Sequence, residues 1–272
     1  MQIKDRVAVV TGAASGIGKA TAQELVARGI HAAAIVDINS DINDVASEIN
    51  NGAEREIVIP FIGDVTDDSF RKKVFDHMCE CYGSVHILVP AAGILRDRLA
   101  VQLDKNSGSS DIYPIETFRE VLEVNLIHPV YWAIELISRI AEKRRVNGLG
   151  KWSAAESVQG TVIFTGSVSS LGNKGQVSYA TTKAGLEGAA STLMKEAIFH
   201  GVRTGVIHPG FVDTPLLKAM PEGFVEKHIL PGTQLGRLIQ PEEIADAICF
   251  MISNCVVSGE LWADAGWHPA AA

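Results

Sequence analysis

Short apolar segments rich in β-branched residues alternate with longer amphipathic stretches along almost the whole chain. Brief apolar runs bounded by turn residues predict buried strands, whereas apolar positions at helical spacing predict helices. The predicted strands are Val7–Thr11, Ala32–Val36, Glu56–Phe61, Val85–Val89, Thr161–Phe164, Arg203–His208 and Gly259–Trp262. The predicted helices between them are Ile17–Arg28, Asn43–Asn50, Ser69–Tyr82, Ile115–Arg144, Tyr179–His200 and Pro241–Ile252.

Strands that are apolar on both faces belong to a sheet that is covered on both sides. Right-handed crossovers through helices produce such a sheet from parallel strands. The pattern therefore predicts a doubly wound α/β fold with a seven-stranded, mostly parallel sheet and helices on both faces. Because no repeat or linker interrupts the pattern, we expect residues 1–272 to form a single domain.

Two polar stretches, residues 104–114 and 147–160, interrupt the alternation and are rich in turn-forming residues. We expect both to be solvated surface insertions, with an active-site flap or a subunit contact as the alternative. The basic run Lys143-Arg144-Arg145 is expected to be solvated at a helix end, where positive charge suits the helix dipole.

Composition and charge exclude several classes of protein. Of 272 residues, 47% are hydrophobic, which is enough for a large core without disulfide or metal support. The formal net charge of −8 disfavours nucleic-acid binding. The apolar run near the N-terminus is too short for a signal sequence or a membrane span, so we expect a cytoplasmic protein with no membrane partner. The spacing of the four cysteines matches no zinc motif, so we expect free thiols and no metal site.

A glycine-rich turn, TGAASGIG over residues 11–18, connects the first predicted strand to the first predicted helix. Glycines allow a tight turn and close approach to a pyrophosphate, whose charge then faces the free N–H groups of the helix N-terminus. The sequence therefore predicts a Rossmann-type dinucleotide site. Its predicted contacts in this turn are Gly12, Ser15, Gly16, Ile17 and Gly18.

An acidic residue, Asp37, follows the second predicted strand, nineteen residues beyond Gly18. A carboxylate at this place accepts hydrogen bonds from the adenosine ribose hydroxyls and repels a 2′-phosphate. Neither Ser15 nor Ile38 offers a positive charge to such a phosphate. We therefore predict NAD as the cofactor in preference to NADP. The alternative is that Asp37 caps the next helix.

Further motifs follow in a fixed order. They are Asp64-Val65, Asn125, Ser167, Tyr179-Ala180-Thr181-Thr182-Lys183, Pro209-Gly210 and Thr214. With the G-x3-G-x-G turn, they make the chain similar to the classical short-chain dehydrogenase/reductase family over nearly its whole length. The resemblance implies an enzyme, an alcohol dehydrogenase or ketone reductase, that uses a nicotinamide cofactor and forms homotetramers or homodimers.

Tyr179 and Lys183 lie one helical turn apart, so the ammonium group can lie near the phenol. The ordinary tyrosine pKa of about 10 is too high for a base at neutral pH, and a nearby cation lowers it. Tyr179 then takes a proton from an alcohol as hydride leaves carbon, or donates one to a ketone in the reverse reaction.

The resemblance assigns roles to the other motif residues. Ser167 is expected to bind the substrate oxygen, with Ser169 as a weaker candidate because the spacing to Tyr179 is one residue shorter than usual. Asn125 is expected to bind a water that carries protons from Lys183. The implied cofactor contacts are Asp64, Val65, Ala92, Gly93, Tyr179, Lys183, Pro209, Gly210, Val212 and Thr214. Thr214 would hold the nicotinamide carboxamide, cap the following helix, or do both.

Two positions depart from the family pattern. Pro90-Ala91-Ala92-Gly93 stands where the family usually has Asn-Asn-Ala-Gly, so Ala91 lacks an amide that ties core strands together. His208 stands where the family commonly has asparagine, and we expect a structural role for it.

Residues 212–235 are expected to form a substrate lid. Their apolar members are Leu216, Leu217, Met220, Phe224, Ile229 and Leu230. A hydrophobic lid favours an apolar or alicyclic secondary alcohol or ketone, although such residues also pack on their own domain or on a neighbouring subunit. Subunit contacts are expected through the helices Ile115–Arg144 and Tyr179–His200, with Trp262 and Trp267 as possible anchors.

We therefore predict an NAD-dependent oxidoreductase that moves hydride between the nicotinamide and a secondary alcohol or ketone. One alternative is an NADPH-linked 3-ketoacyl-carrier reductase that docks its carrier through residues 143–145, which Asp37 disfavours. Another is a non-catalytic nucleotide-binding protein, which the presence of both Tyr179 and Lys183 disfavours. An extended epimerase or dehydratase would need more chain after Lys183.

Overall fold

A central parallel sheet organises the computed structural model, which describes residues 1–218, 223 and 225–267. The strands of the described residues are β1 Val7–Thr11, β2 Ala32–Asp37, β3 Val58–Ile62, β4 Ile87–Pro90, β5 Val101–Leu103, β6 Ser110–Ile112, β7 Gly160–Thr165, β8 Val202–Pro209 and β9 Gly259–Ala263. Their helices are α1 Gly16–Ala27, α2 Ile42–Asn50, α3 Asp68–Tyr82, α4 Ile115–Leu122, α5 His128–Val146, α6 Val177–Ala197, α7 Pro215–Lys218 and α8 Pro241–Ser253. None of these helices is long and apolar enough to cross a bilayer.

The sheet has seven strands in the order β3-β2-β1-β4-β7-β8-β9. Each pair of neighbouring strands is parallel, which confirms the predicted doubly wound fold. The chain builds outward from β1 to β3 and then returns to place β4 on the other side of β1. The resulting reversal of strand order opens a crevice between the carboxyl ends of β1 and β4, where ligands bind in such sheets.

Helices cover both faces of the sheet, which is why its strands are apolar on both sides. Val10 of β1 packs in a cluster with residues of α1, α2 and α8. The preceding residue of β1, Val9, belongs to a second cluster with residues of α3, α5 and α6. Successive side chains of a strand point to opposite faces, so a strand between two helical layers needs apolar residues throughout.

A π-helical turn, Glu123–Ile127, separates α4 from α5, so the single helix predicted over Ile115–Arg144 is wrong at this place. Asn125 lies in the turn and is fully buried. Its Nδ2 donates to the Ile94 carbonyl and its Oδ1 accepts the Ile94 N–H, both at 2.8 Å. π-Helical turns of this kind occur often at functional sites.

The two predicted insertions differ in structure. Residues 104–114 are not a simple loop, because β5 and β6 form an exposed antiparallel hairpin. The Asp104 carboxylate closes its turn by accepting the N–H groups of Asn106 and Ser107. Residues 147–160 contain no helix, and their first strand residue is Gly160.

The predicted lid is described in part. After α7 the chain forms a π-helical turn at Val225–Ile229 and a 3-10 turn at Leu230–Gly232. Leu217 and Ile229 are buried, whereas Leu216 is exposed. Met220 and Phe224, which the sequence assigns to the lid, lie outside the described residues.

Arg144 fixes residues 147–160 to α5. Its guanidinium donates to both Glu156 carboxylate oxygens, at 2.6 and 3.2 Å, and to the Gly150 carbonyl at 2.9 Å. The side chain is only 4% exposed. The expectation that the whole basic run is solvated is therefore wrong for Arg144, although Lys143 and Arg145 are exposed.

We expect Arg144→Ala to lower the free energy of unfolding, because it removes a buried side chain with its hydrogen bonds to Glu156 and leaves the Gly150 carbonyl without its donor. Arg145→Ala, the matched control on the exposed face, should change it by less than about 0.5 kcal/mol. Urea denaturation of the two variants measures the difference. Equal stability of the two would contradict the tethering role.

Candidate active site

A cavity of about 860 Å³ lies at the carboxyl edge of the sheet, across the β1/β4 crevice. The sequence-predicted residues that line it are Gly12, Ser15, Gly16, Ile17, Gly18, Asp37, Asp64, Val65, Ala92, Gly93, Ser167, Tyr179, Lys183, Pro209, Gly210, Val212 and Thr214. Asn125 is the predicted site residue that lies behind the wall. The structure thus brings together residues from seven segments of the chain, because parallel strands all present their carboxyl ends at one edge.

The glycine turn has the geometry that its sequence predicts. Gly12 and Gly16 adopt φ values of +67° and +53°, in the left-handed region that favours glycine. A Cβ on Gly18 would lie 2.3 Å from the Gly12 carbonyl oxygen. Ser15 makes no side-chain cap on α1, and the first turn of α1 contains no acid, so its N–H groups can bind an anion.

Asp37 ends β2 with its carboxylate held at the cavity wall. Oδ2 accepts the Ala14 N–H and Oδ1 accepts the Asn39 N–H, both at 3.0 Å. The capping alternative fails for the next helix, because α2 begins at Ile42 after Asp41. The carboxylate thus links the glycine turn to β2, and among the described lining residues the basic ones are Arg96 and Lys183.

The two candidate serines face different partners. The Ser167 hydroxyl accepts the Ser169 N–H at 3.1 Å and hydrogen-bonds the Tyr179 phenol. The Ser169 hydroxyl instead donates to Gln176 Oε1 at 2.7 Å. The geometry therefore favours Ser167 over Ser169 as the partner of Tyr179.

Lys183 lies beneath Tyr179 on α6. Its Nζ lies 5.4 Å from the centre of the Tyr179 ring and donates to the Thr165 carbonyl at 2.7 Å. The lysine is buried, and its ammonium is therefore anchored to the end of β7. The one-turn spacing read from the sequence does place the two groups on one face of the helix.

The pKa values of the pair move in opposite directions. Loss of solvent raises the pKa of Tyr179 to about 12; the hydrogen bond with Ser167 opposes this shift and the Asp97 carboxylate adds to it. Burial lowers the pKa of Lys183 to about 8. The sequence predicts a lowered pKa for the phenol, whereas in these surroundings desolvation dominates and raises it.

Sequence reasoning missed a polar chain beside this pair. Gln176 Nε2 donates to Asp97 Oδ2 at 2.6 Å, and Gln176 Oε1 accepts from Ser169 and, at 3.1 Å, from Asn173. Gln176 lines the cavity. Asp97 lies in a loop that carries no motif, so only its nearness to Tyr179 in space reveals its influence.

The remaining predicted residues have backbone roles that the structure makes visible. The N–H groups of Ala91 and Ala92 donate to the Thr11 carbonyl and hydroxyl oxygens at 3.3 Å, so β4 is tied to β1 without an amide side chain. The Thr214 carbonyl accepts the N–H groups of Leu217 and Lys218 at the start of α7.

His208 is fully buried behind Ser167 and does not line the cavity. Its ring stacks on Trp262 with the centroids 4.2 Å apart. The Nδ1 atom lies 3.1 Å from the Ser167 carbonyl oxygen and 3.3 Å from the Ser167 nitrogen. The side chain therefore contacts the backbone of the serine whose hydroxyl faces Tyr179.

Comparison with known proteins agrees with this arrangement. Residues 6–223 match the family model described as short chain dehydrogenase. The chain belongs to the short-chain dehydrogenase family. Members of this family are oxidoreductases that bind a nicotinamide cofactor, so the cavity described above has the position and composition of such a site.

Several relatives of this short-chain dehydrogenase match it almost from end to end. The 3-oxoacyl-(acyl-carrier-protein) reductase FabG of Thermotoga maritima is 32% identical over 93% of both chains. The cis-4-hydroxycyclohexanecarboxylate dehydrogenase of Sinomonas cyclohexanicum is 32% identical over 97% of this chain and 96% of its own. The (3R)-3-hydroxyacyl-CoA dehydrogenase of Mus musculus is 29% identical over 93% of this chain and 92% of its own.

We expect Asp97→Asn to move the rising limb of the pH profile for alcohol oxidation, which follows the loss of the Tyr179 proton, to lower pH. The carboxylate raises the pKa of Tyr179, so its removal lowers that pKa, while asparagine keeps an acceptor for Gln176. The measurement is kcat/KM against pH at low salt. High salt should shrink the difference between the variant and wild type, because ions screen exposed charges.

Glu116→Gln removes an exposed carboxylate on α4 and serves as the matched control. Its profile should coincide with that of the wild type. A shift of the Asp97→Asn profile to higher pH, or identical shifts in both variants, would contradict the assigned electrostatic effect.

Proposed function

We propose that this short-chain dehydrogenase is an NAD-dependent oxidoreductase that transfers hydride between the nicotinamide and a hydrophobic or alicyclic secondary alcohol or ketone. One observation carries the proposal: a single cavity has Asp37 at the end of β2 and the Ser167, Tyr179 and Lys183 group beside β7. These strands are three steps apart in the sheet, or roughly 14 Å. An extended dinucleotide fits this separation, with its pyrophosphate at the glycine turn between them.

The lining residues suit each part of the cofactor. The uncapped N-terminus of α1 would hold the pyrophosphate, and the Asp37 carboxylate would accept hydrogen bonds from the adenosine ribose. Lys183 and Thr214 would hold the nicotinamide ribose and carboxamide, as the family resemblance implies. When bound, NAD supplies a hydride acceptor at its nicotinamide ring.

The proton chemistry follows from the contacts of the side chains. In alcohol oxidation, Ser167 would hold the substrate hydroxyl while the Tyr179 oxygen would take its proton. The Lys183 ammonium would stabilise the phenolate that accepts the proton. With a pKa of about 8, Lys183 is mostly charged at neutral pH, and its bond to Thr165 fixes its position. Asn125, by clamping Ile94, would position the opposite wall and, as the resemblance implies, a proton-carrying water.

The preference for NAD over NADP depends on charge at the adenosine end. Asp37 and Ile38 both line the cavity there, beside Ser15 of the glycine turn. A 2′-phosphate would meet a carboxylate and no basic side chain among these three. This favours NAD over NADP. The name of the Thermotoga maritima relative indicates a reductase of carrier-bound oxoacyl groups.

An apolar wall supports the proposed substrate class. Ile94, Leu95, Val168, Leu216 and Leu217 line the cavity. Such a wall favours an apolar or alicyclic ring or chain over a small polyol. The name of the Sinomonas cyclohexanicum relative indicates an alicyclic substrate for that protein, which agrees with this choice.

An acyl-carrier substrate is the second candidate because several relatives are named for oxoacyl or hydroxyacyl compounds. The basic run at 143–145 gives it little support. Arg144 is buried against Glu156, and the Lys143 ammonium donates to the Gly83 carbonyl. Of the three basic residues, Arg145 is left for a carrier, because its exposed side chain makes no ion pair or hydrogen bond with the described residues.

Assembly into a homodimer or homotetramer belongs to the same proposal. Tyr131 and Ile134 are exposed on α5, where the sequence predicts subunit contacts. The two tryptophans proposed as anchors instead pack within the chain, Trp262 on His208 and Trp267 on Phe211. This favours the helical surface over the C-terminal segment as the interface.

We expect Tyr179→Phe to reduce kcat by about 10²–10⁴-fold, because it removes the proton acceptor. Nicotinamide absorbance with cyclic, steroidal, aliphatic and acyl-thioester alcohols and ketones measures turnover, and fluorescence measures NADH binding, which should persist. Tyr131→Phe, an exposed tyrosine on α5, is the control and should retain full activity. Undiminished turnover in Tyr179→Phe would refute the assigned chemistry.

We expect the double substitution Asp37→Ala with Ile38→Arg to reduce the preference for NAD over NADP by about 100-fold, or about 2.7 kcal/mol. The variant loses the ribose acceptor and gains a cation for the 2′-phosphate. The ratio of kcat/KM values for the two cofactors is the measurement. A wild-type enzyme that turns over only with NADPH would overturn the cofactor assignment.

A further inference from the structure

A second polar cluster lies outside the cavity, on the α6 side of the sheet near its edge strand. It consists of Glu187 from α6, His208 from β8 and Glu260 from β9, whose ligand atoms all lie within 4.8 Å of one another. His208 Nε2 lies 3.5 Å from Glu260 Oε2 and 3.8 Å from Glu187 Oε1. None of these residues lines the cavity, and the proposed reaction uses none of them.

The tautomer of His208 follows from its contacts with Ser167. A proton on Nδ1 would donate to the Ser167 carbonyl oxygen at 3.1 Å, whereas a bare Nδ1 would accept the Ser167 N–H at 3.3 Å. A proton on Nε2 would point to carboxylate oxygens at 3.5 and 3.8 Å, beyond the range of a normal hydrogen bond. The Nδ1–H tautomer makes the shorter of the two Ser167 contacts, and it leaves a bare Nε2 lone pair directed at two carboxylates.

Burial makes this arrangement costly without a cation. The imidazole is fully buried, and both Nε2 and Glu187 Oε1 lack a hydrogen-bond partner among the described residues. In that same part of the chain, no lysine or arginine forms an ion pair with Glu187 or Glu260. Two carboxylates and a lone pair that converge on one point repel each other unless a positive charge lies between them.

We propose that Glu187, His208 and Glu260 bind a divalent transition-metal ion of the zinc class. One imidazole nitrogen and two carboxylate oxygens are ligands that Zn²⁺ prefers, and three protein ligands leave a fourth position for water. A tetrahedral zinc ion bound at about 2.0–2.2 Å separates its ligand atoms by roughly 3.4 Å, so the two glutamates need only small shifts.

The ring environment agrees with a metal ligand. A ligating histidine normally donates its other ring N–H to a carbonyl or carboxylate, which fixes the ring and its tautomer. Here that acceptor is the Ser167 carbonyl. Gly166 makes the approach possible, because a Cβ at that position would lie 2.7 Å from His208 Nδ1. The glutamates are 28% and 38% exposed, so the ion can enter from solvent.

The ion would join α6, β8 and the edge strand β9 and hold the ring on which the Ser167 backbone rests. This is a structural and positioning role, and it stands apart from the hydride-transfer proposal. Metal binding is therefore measured directly, without reference to catalysis, so that failure of either proposal leaves the other testable.

The test uses the untagged full chain, freed of metal with a chelator and titrated with Zn²⁺ against a chromophoric competitor. The wild type should bind one ion per chain, and its melting temperature should rise with zinc. Glu187→Gln and Glu260→Gln should each weaken binding by about tenfold or more. Glu196→Gln, on the exposed face of α6, is the matched control and should bind as the wild type does.

Two results would overturn the proposal. One is that the wild-type chain fails to take zinc from the chromophoric competitor. The other is equal zinc affinity in the wild type, Glu187→Gln and Glu260→Gln. This result would locate any bound zinc elsewhere, such as at His77 and Cys81. Circular dichroism in chelator checks that the variants fold. Glu260→Gln keeps the test decisive if Glu187→Gln does not fold, because Glu260 is the more exposed residue.

Discussion

Burial of the seven-stranded sheet between two helical layers is the constraint on which this structure depends. It requires parallel strands joined by right-handed crossovers, and those strands then all end at one edge. The glycine turn after β1, Asp37 at the end of β2 and Ser167 after β7 come together for this reason alone. Residues far apart in the chain thus share one cavity, while the apolar interior of the sheet stays uninterrupted.

The end of the cavity at Tyr179 adds a second constraint, a buried positive charge. The Lys183 ammonium has lost most of its water, and the Thr165 carbonyl holds it at the end of β7. Because the sheet edge fixes one end and α6 the other, the distance to Tyr179 is set by the fold. Ser167 and Asp97 then act on the pKa of the phenol in opposite directions, so that pKa depends on groups from two different loops.

The sequence predicts the repeated features well and the singular ones poorly. The seven strands are evident because burial on both faces makes them mostly apolar. The π-helical turn at Glu123–Ile127 is not evident, since Asn125 makes its hydrogen bonds there with Ile94, which is distant in sequence. Arg144 shows the same limit. Its place in a basic run suits a solvated helix end, yet the side chain is buried and paired with Glu156.

The same reasoning explains why the cluster of Glu187, His208 and Glu260 carries no sequence signal. Zinc motifs are recognised when the ligands are close together in the chain, whereas these come from a helix and two neighbouring strands. The substitution of histidine for asparagine before Pro209 is the one local sign. An asparagine can also bond the Ser167 backbone, but only the imidazole has a second nitrogen that reaches the two carboxylates. The histidine at position 208 therefore keeps a contact with the Ser167 backbone. On the other side of the ring it brings a second nitrogen close to Glu187 and Glu260.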